Sequence, residues 1–329
     1  MSISGRAGPP AKVSLGRLHP AALLREFSSA ALVVLLLVLV GGIAVIRPGT
    51  VTADWGANTL LFAAPLGLMA GGETVLLLTG GIDLSVSAIA TSSAYLLSAN
   101  SAQDPALAVL LGLGVGLLVG LLNGVGVAIF RVQPLVMTLG TGLMTEGALV
   151  VYSQKVIAHL PHVPHFIVVL GSSKFLGVVP VDLLLWAPIA ALLILGLRYS
   201  GFGRLLYAVG DNAEACRLAG VRVWRVLVVA YVICGLLCAI AGLIMVGTTN
   251  AADLSLADVY LLPAIAAPII GGTSIFGGRG GYGGAIVGAL VLTVLNSLLT
   301  LLNVLEPLKQ VLYGAIILLL SAAYTRLSE

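Results

Sequence analysis

Long apolar runs alternate along this chain with short segments rich in glycine, proline, asparagine or charge. The runs lie near 28–46, 56–79, 84–99, 105–129, 134–151, 181–197, 226–247, 258–275, 282–302 and 307–325. A helix needs roughly 20 apolar residues to cross a bilayer, and in hydrocarbon a helix satisfies its own backbone groups where an open strand or loop cannot. The pattern predicts an all-α polytopic integral membrane protein of about ten transmembrane helices. Its organisation reads as an N-terminal arm over 1–27, one transmembrane domain over 28–325 and a short C-terminus at 326–329. The domain holds two long polar or mixed stretches, 152–180 and the cytoplasmic loop 198–225.

Two segments interrupt this regularity. Thr79-Gly80-Gly81-Ile82-Asp83-Leu84-Ser85-Val86-Ser87 sets paired glycines, a carboxylate and hydroxyls between two apolar runs. Ile270-Gly271-Gly272-Thr273-Ser274-Ile275-Phe276-Gly277-Gly278-Arg279-Gly280-Gly281 repeats the device late in the chain. Irregular backbone at membrane depth survives only where protein buries it or it lines a cavity, so broken or re-entrant helices near 79–87 and 270–281 point to a transport path. Tight cytoplasmic turns are the other reading. Gly112, Gly116, Gly120 and Gly124 recur every four residues and share one helix face, which marks a packing seam.

Composition removes the soluble classes. The chain is 59% hydrophobic and 9% charged, with a mean hydropathy of +1.13, too little charge to clothe a water-soluble core. The arm carries Arg6, Lys12, Arg17 and Arg25 ahead of the first run, like a signal peptide. That run is long and is followed by Arg47-Pro48, with no small-residue cleavage site, so it reads as an uncleaved span. With the N-terminus inside, the crossings place Arg131, Arg198, Arg204, Arg217, Arg222, Arg225, Arg279 and Arg326 on the same side as the arm. Only Arg47, Lys155, Lys174 and Lys309 fall outside. This positive-inside bias predicts a multi-pass membrane protein with both termini cytoplasmic. The net charge of +3 is that bias, with no stripe for nucleic acid. Cys216, Cys234 and Cys238 fall in the predicted cytoplasmic loop and the helix after it, so no disulfide framework is implied.

The loop 198–225 contains Asp211 followed three residues later by Glu214, like a capping box, and Gly220 as a helix stop. A helix of two or three turns is expected between them, held by a partner or resting on the membrane surface. No stretch carries the phosphate-cradling pattern of glycine, four residues and Gly-Lys-Ser/Thr. Nor is there a nucleophile beside a base or a zinc-ligand cluster. No catalytic residue, metal site or cofactor is expected on this chain, and hydrolysis of a nucleotide must come from another one.

In chain order, several motifs resemble the membrane permeases of bacterial ATP-binding-cassette sugar importers of the ribose, xylose, arabinose and galactose type. They are Leu78-Thr79-Gly80-Gly81-Ile82-Asp83-Leu84-Ser85-Val86, Arg131-Val132-Gln133-Pro134 with Thr138-Leu139, and Gly203-Arg204 through Tyr207-Ala208-Val209-Gly210-Asp211-Asn212 to Arg217-Leu218-Ala219-Gly220-Val221. Ala264-Ile265-Ala266-Ala267, Ile270-Gly271-Gly272-Thr273-Ser274, Gly277-Gly278-Arg279-Gly280, Gly288-Ala289 and Leu295-Asn296 follow. The resemblance covers nearly all of the chain after residue 50 and implies a membrane path for a monosaccharide or related polyol. Its implied partners are a cytoplasmic ATPase, a second permease in a homodimer or paired heterodimer, an external substrate-binding protein and membrane lipid. Nucleosides, a furan-like signal molecule or branched-chain amino acids are alternative cargoes for the same architecture. A stand-alone secondary transporter or a membrane enzyme is the alternative of another class.

The resemblance also implies residue roles. Gly203, Arg204, Gly210, Asp211, Asn212, Glu214, Arg217 and Gly220 would couple to the ATPase, with a docking helix near 212–219. Glu73, Asp83, Ser85, Ser87, Asn123, Thr138, Thr273, Ser274 and Asn296 are the candidates for the translocation path or its gate. Carboxylates inside a span are expensive unless paired or wetted, so Glu73 and Asp83 either line the path or hold a broken helix. Relatives of this type usually carry an acidic residue just after the position of Tyr260, where this chain has Leu261, Leu262 and Pro263. Glu146 stands where an arginine is common and has no evident partner. His159, His162 and His165 recur every three residues among prolines, a spacing that a polyproline II segment would stack on one face. A metal or acid-sensitive contact is one reading, and scattered histidines of an external loop with no function is the favoured one.

Overall fold

The structure is a computed structural model that describes residues 20–156 and 162–328, with side chains described over 31–155 and 162–319. The arm before residue 20 and His159 lie outside the described residues. In order the elements are α1 (Pro20–Ile46), α2 (Ala53–Leu77), α3 (Val86–Asn100), α4 (Pro105–Ala128), α5 (Pro134–Val156) and α6 (His165–Ser172). A two-residue ribbon of β1 (Lys174–Phe175) and β2 (Val179–Pro180) precedes α7 (Leu183–Tyr199), α8 (Gly201–Leu218) and α9 (Val223–Thr249). A 3₁₀ turn (Asp258–Tyr260) leads into α10 (Leu261–Ile270), α11 (Tyr282–Leu301) and α12 (Glu306–Ser328).

A helix with no polar face belongs at the centre of a bundle, and α2 is buried at every position from Ala63 to Leu77. Around it stand α7, α9, α10 and α11, while α3 and α4 close over the far side of α9. Helices in lipid gain little from apolar burial against one another, so they associate by close van der Waals approach at small residues. The glycine seam of α4 does this against α9. A Cβ on Gly116 would stand 2.3 Å from the Gly235 carbonyl oxygen, and one on Gly120 would stand 2.6 Å from that of Tyr231. A buried polar chain ties α7 and α11 to α2: Trp186 Nε1 donates to Tyr282 Oη at 2.8 Å, and Tyr282 Oη donates to the Gly67 carbonyl at 2.7 Å. Both ring polar tips are thereby satisfied inside the bundle.

Five helices, among them α2, α4, α9 and α11, individually have the length and apolar content to cross a bilayer, and α7 with α8 qualifies as a pair bent by 67°. The chain is thus an all-α, multi-pass membrane protein. Several boundaries differ from the sequence reading. The run at 258–275 is a 3₁₀ turn plus a helix that stops at Ile270, because Gly272 turns the chain with φ +87. Loop 198–225 is mostly helix: α8 starts at Gly201, where the Ser200 hydroxyl accepts from Gly203 N at 2.9 Å. The predicted short helix is only its second limb, and α6 was not foreseen. His165 opens α6 and does not continue an extended histidine face.

Candidate functional site

The first break lies between α2 and α3. Gly80 N donates to the Leu77 carbonyl at 2.9 Å and Gly81 N to that of Leu76 at 3.0 Å, and Gly80 takes φ +78. This is the left-handed closure that glycine permits without strain. Asp83 then anchors the unwound turn: its Oδ1 accepts from Ser85 N at 2.8 Å and from Ser85 Oγ at 2.5 Å. Asn123 of α4 donates through Nδ2 to Asp83 Oδ2 at 3.3 Å and to Ser85 Oγ at 2.9 Å. From α5, Thr141 Oγ1 donates to Asn123 Oδ1, and Thr138 Oγ1 accepts from Leu84 N at 3.0 Å. Glu73 closes the group, its Oε2 accepting a long bond of 3.5 Å from Asp83 N.

Glu73, Asp83, Ser85, Asn123 and Thr138 thus form one network with no solvent exposure. They brace the break against α4 and α5, and no open path reaches them from within the described chain. Ser87 is buried on α3 without a side-chain bond to this group. Thr273 and Ser274 sit in the second break, where Ser274 N donates to the Arg279 carbonyl at 2.9 Å. Asn296 stands apart, near the other end of α11.

The two breaks meet at α8. Gly278 N donates to the Leu78 carbonyl at 3.0 Å. A Cβ on Gly210 would fall 1.9 Å from the Leu78 carbonyl oxygen and 2.6 Å from Gly278 N. Gly277, with φ +90, would place a Cβ 2.7 Å from the Gly210 carbonyl oxygen. Three backbone strands therefore touch where no side chain larger than hydrogen fits. Tyr207 Oη donates to the Gly280 carbonyl at 3.0 Å and fastens the first limb of α8 to the second break. A Cβ on Gly203 would lie 2.4 Å from the Leu197 carbonyl oxygen, so that glycine seats α8 on the end of α7.

Beyond the junction α8 bends at Asn212, whose φ −155 and ψ 95 lie outside the helical region. That extended backbone is what an N-cap requires, and Asn212 Oδ1 accepts from Ala215 N at 2.9 Å. The cap is therefore Asn212, and Asp211 with Glu214 makes no capping box. Gly220, at φ +83, ends the limb as expected: its N–H donates to the Arg217 carbonyl and Val221 N to that of Cys216, each at 2.9 Å. Glu214 and Arg217 pair at 3.0 Å on the surface, and Arg204 Nη1 donates to the Tyr199 carbonyl at 3.3 Å. Leu218, at the end of the limb, is 83% exposed.

At the opposite end of α2 and α11 lies a cavity of about 420 Å³. Trp55, Asn58, Tyr260, Asn296, Glu306 and Tyr313 contribute to its wall. About 20 residues of α2 at 1.5 Å each separate it from the junction, a span of roughly 30 Å. The sequence singled out Asn296 alone here. The sequence reading gave the others no site role, and no local motif joins residues dispersed over so much of the chain. The carboxylate expected after Tyr260 is absent, but Glu306 brings one to the same cavity.

Residues 55–321 match the family model described as "Branched-chain amino acid transport system / permease component". The chain belongs to this permease family. It is a transport component and not an enzyme. It is 36% identical to the ribose import permease of Bacillus subtilis (strain 168) over 264 residues, covering 80% of this chain and 82% of the relative. The ribose import permease of Escherichia coli (strain K12) is 35% identical over 289 residues, 86% of this chain and 89% of its own. The fructose import permease of Rhizobium meliloti is 33% identical over 268 residues, 78% and 73% of the two chains. No solved structure matches the permease.

Proposed function

We propose that this permease forms the membrane path of a bacterial ATP-binding-cassette importer for a monosaccharide or related polyol, with ATP hydrolysis on a separate cytoplasmic subunit. The observation that carries the coupling is the glycine junction, which joins an exposed, capped limb of α8 to both helix breaks. The ribose and fructose permeases among its relatives support the sugar class. An external binding protein selects and delivers the solute, and no cofactor is needed on this chain.

Ten crossings with both termini cytoplasmic is the topology that agrees with the arginine bias. Five helices and one bent pair supply part of that number, and α1, α3, α10 and α12 supply the rest as one crossing each. A second permease completes the path. Glu146 is exposed midway along α5, and a Cβ on either Gly140 or Gly147 of the same helix would meet nothing within 4 Å. A carboxylate facing lipid is costly, so this face is turned toward the second permease and the water it encloses.

The test is reconstitution of the permease with its ATPase and binding protein in proteoliposomes, followed by uptake of labelled ribose, fructose, galactose and leucine. ATP-dependent accumulation of a sugar is the expected result. Accumulation driven by an ion gradient with the permease alone would overturn the reading, and accumulation of leucine but no sugar would overturn the substrate class.

A further inference from the structure

The cavity opposite the glycine junction has a lining that the coupling machinery does not explain. Its volume of about 420 Å³ lies within the roughly 300–1,000 Å³ usual for small-molecule sites. Aromatic rings come from three separate elements: Trp55 from α2, Tyr260 from the 3₁₀ turn and Tyr313 from α12. The amides of Asn58 and Asn296 stand on facing helices, α2 and α11, and neither side chain makes a hydrogen bond within the described residues. An amide offers two donors and an acceptor with two lone pairs, so both retain their full capacity for a ligand.

The rest of the rim is held in place. Trp55 Nε1 donates to Ser297 Oγ at 3.3 Å, which fixes the indole plane across the α2 and α11 interface. Lys309, itself buried, donates to Thr300 Oγ1 at 2.9 Å and pairs with Glu306 at 3.0 Å. That pairing holds Glu306 at the cavity with acceptor positions to spare. Flat apolar faces beside free amides and a carboxylate match one ligand chemistry well. The C–H face of a pyranose or furanose lies on an aromatic ring, while its vicinal hydroxyls both give and accept hydrogen bonds along the edge.

We infer that this cavity is a saccharide-binding vestibule within a single permease chain, with Trp55 as the stacking platform and Asn58, Asn296 and Glu306 as the hydroxyl-reading groups. It would hold the sugar after release from the binding protein and before passage between the two permeases. The inference rests on the sugar-importer reading for its role but not for its measurement.

The experiment uses the full-length permease in nanodiscs, titrated with D-ribose, D-fructose and D-galactose, with leucine as the control. Ligand-observed NMR reports binding, and intrinsic fluorescence reports contact with Trp55. At least one sugar is expected to bind and to change the emission, with no response to leucine. The emission change should vanish in Trp55→Phe while binding persists. Asn58→Ala/Asn296→Ala should weaken binding by about tenfold or more, two lost hydrogen bonds at about 1 kcal/mol each. Neither amide has an internal partner to lose, and the melting temperature of each variant verifies its fold. Absence of sugar binding to the wild type, or an unchanged affinity in the double variant, would overturn the vestibule. Sugar uptake by the full importer despite either result would leave the transport assignment standing, whereas leucine uptake alone would remove that assignment without touching a measured binding site.

Discussion

The two ends of α2 meet their surroundings in opposite ways. At the Leu78 end, backbone touches backbone: the Leu78 carbonyl, Gly210 and Gly278 leave no room for a methyl group. At the Trp55 end, side chains stand around open space, and the Asn58 amide makes no side-chain hydrogen bond within the described residues. Close-packed backbone transmits displacement because it has nowhere to yield, whereas a roomy, largely apolar cavity with a few polar groups can accept solutes that differ in one hydroxyl. Under the proposed function, the tight end is the part that would convey force and the open end the part that would meet cargo. It also predicts where substitution is tolerated.

The largest effect is expected at the tight end. Gly210→Val drives a branched side chain into the Leu78 carbonyl and should destabilise the bundle by about 3 kcal/mol, at the upper end of overpacking costs. Thermal unfolding in detergent measures it, and an unchanged melting temperature would mean that the three strands are not in contact. Asp83→Ala comes next. It leaves Ser85 N without its acceptor in a buried site and Asn123 Nδ2 with Ser85 Oγ alone, a loss of about 1–3 kcal/mol by the same measurement. Asp83→Asn should recover part of that loss, since an amide oxygen still accepts.

Leu218→Asp sharpens the comparison from outside. The residue is exposed, so intrinsic stability should move by no more than about 0.5 kcal/mol. Capture of the ATPase should nevertheless weaken about tenfold if Leu218 is buried on docking, from roughly 1.5 kcal/mol or more of lost burial. Co-purification at graded salt and protein concentration reads this out. The smallest effect on stability belongs to the open end, where Asn58→Ala should shift unfolding by no more than about 0.5 kcal/mol. A large destabilisation there would show that Asn58 is a structural residue and would erase the contrast between the two ends.

These ends also differed in how readily they could be read from the chain. The junction is written in local motifs, because a left-handed turn or a sub-van der Waals approach demands glycine at a fixed position. Gly80, Gly220 and the 277–281 glycines stood out as breaks or stops, and Gly210 through the family motif. The network around Asp83 was half legible: carboxylates inside spans flagged Glu73 and Asp83, but the partnership with Thr141 depends on how α4 and α5 pack. Asn212 displaced Asp211 as the cap because the helix breaks at Asn212, a backbone position that composition does not encode. The cavity was nearly invisible. Trp55, Tyr260 and Glu306 lie at helix ends, where aromatic and charged residues are common for interfacial reasons alone, Tyr313 lies two turns inside α12, and only tertiary packing gathers them around one space.

The claim that α8 acts on both breaks through the glycine junction is tested most directly by hydrogen–deuterium exchange on the assembled permease and ATPase, with and without a non-hydrolysable ATP analogue. The account predicts that nucleotide binding changes exchange in α8 and, together with it, in Leu76–Val86 and Gly271–Gly281. A change confined to 201–222, with both breaks exchanging as before, would contradict it.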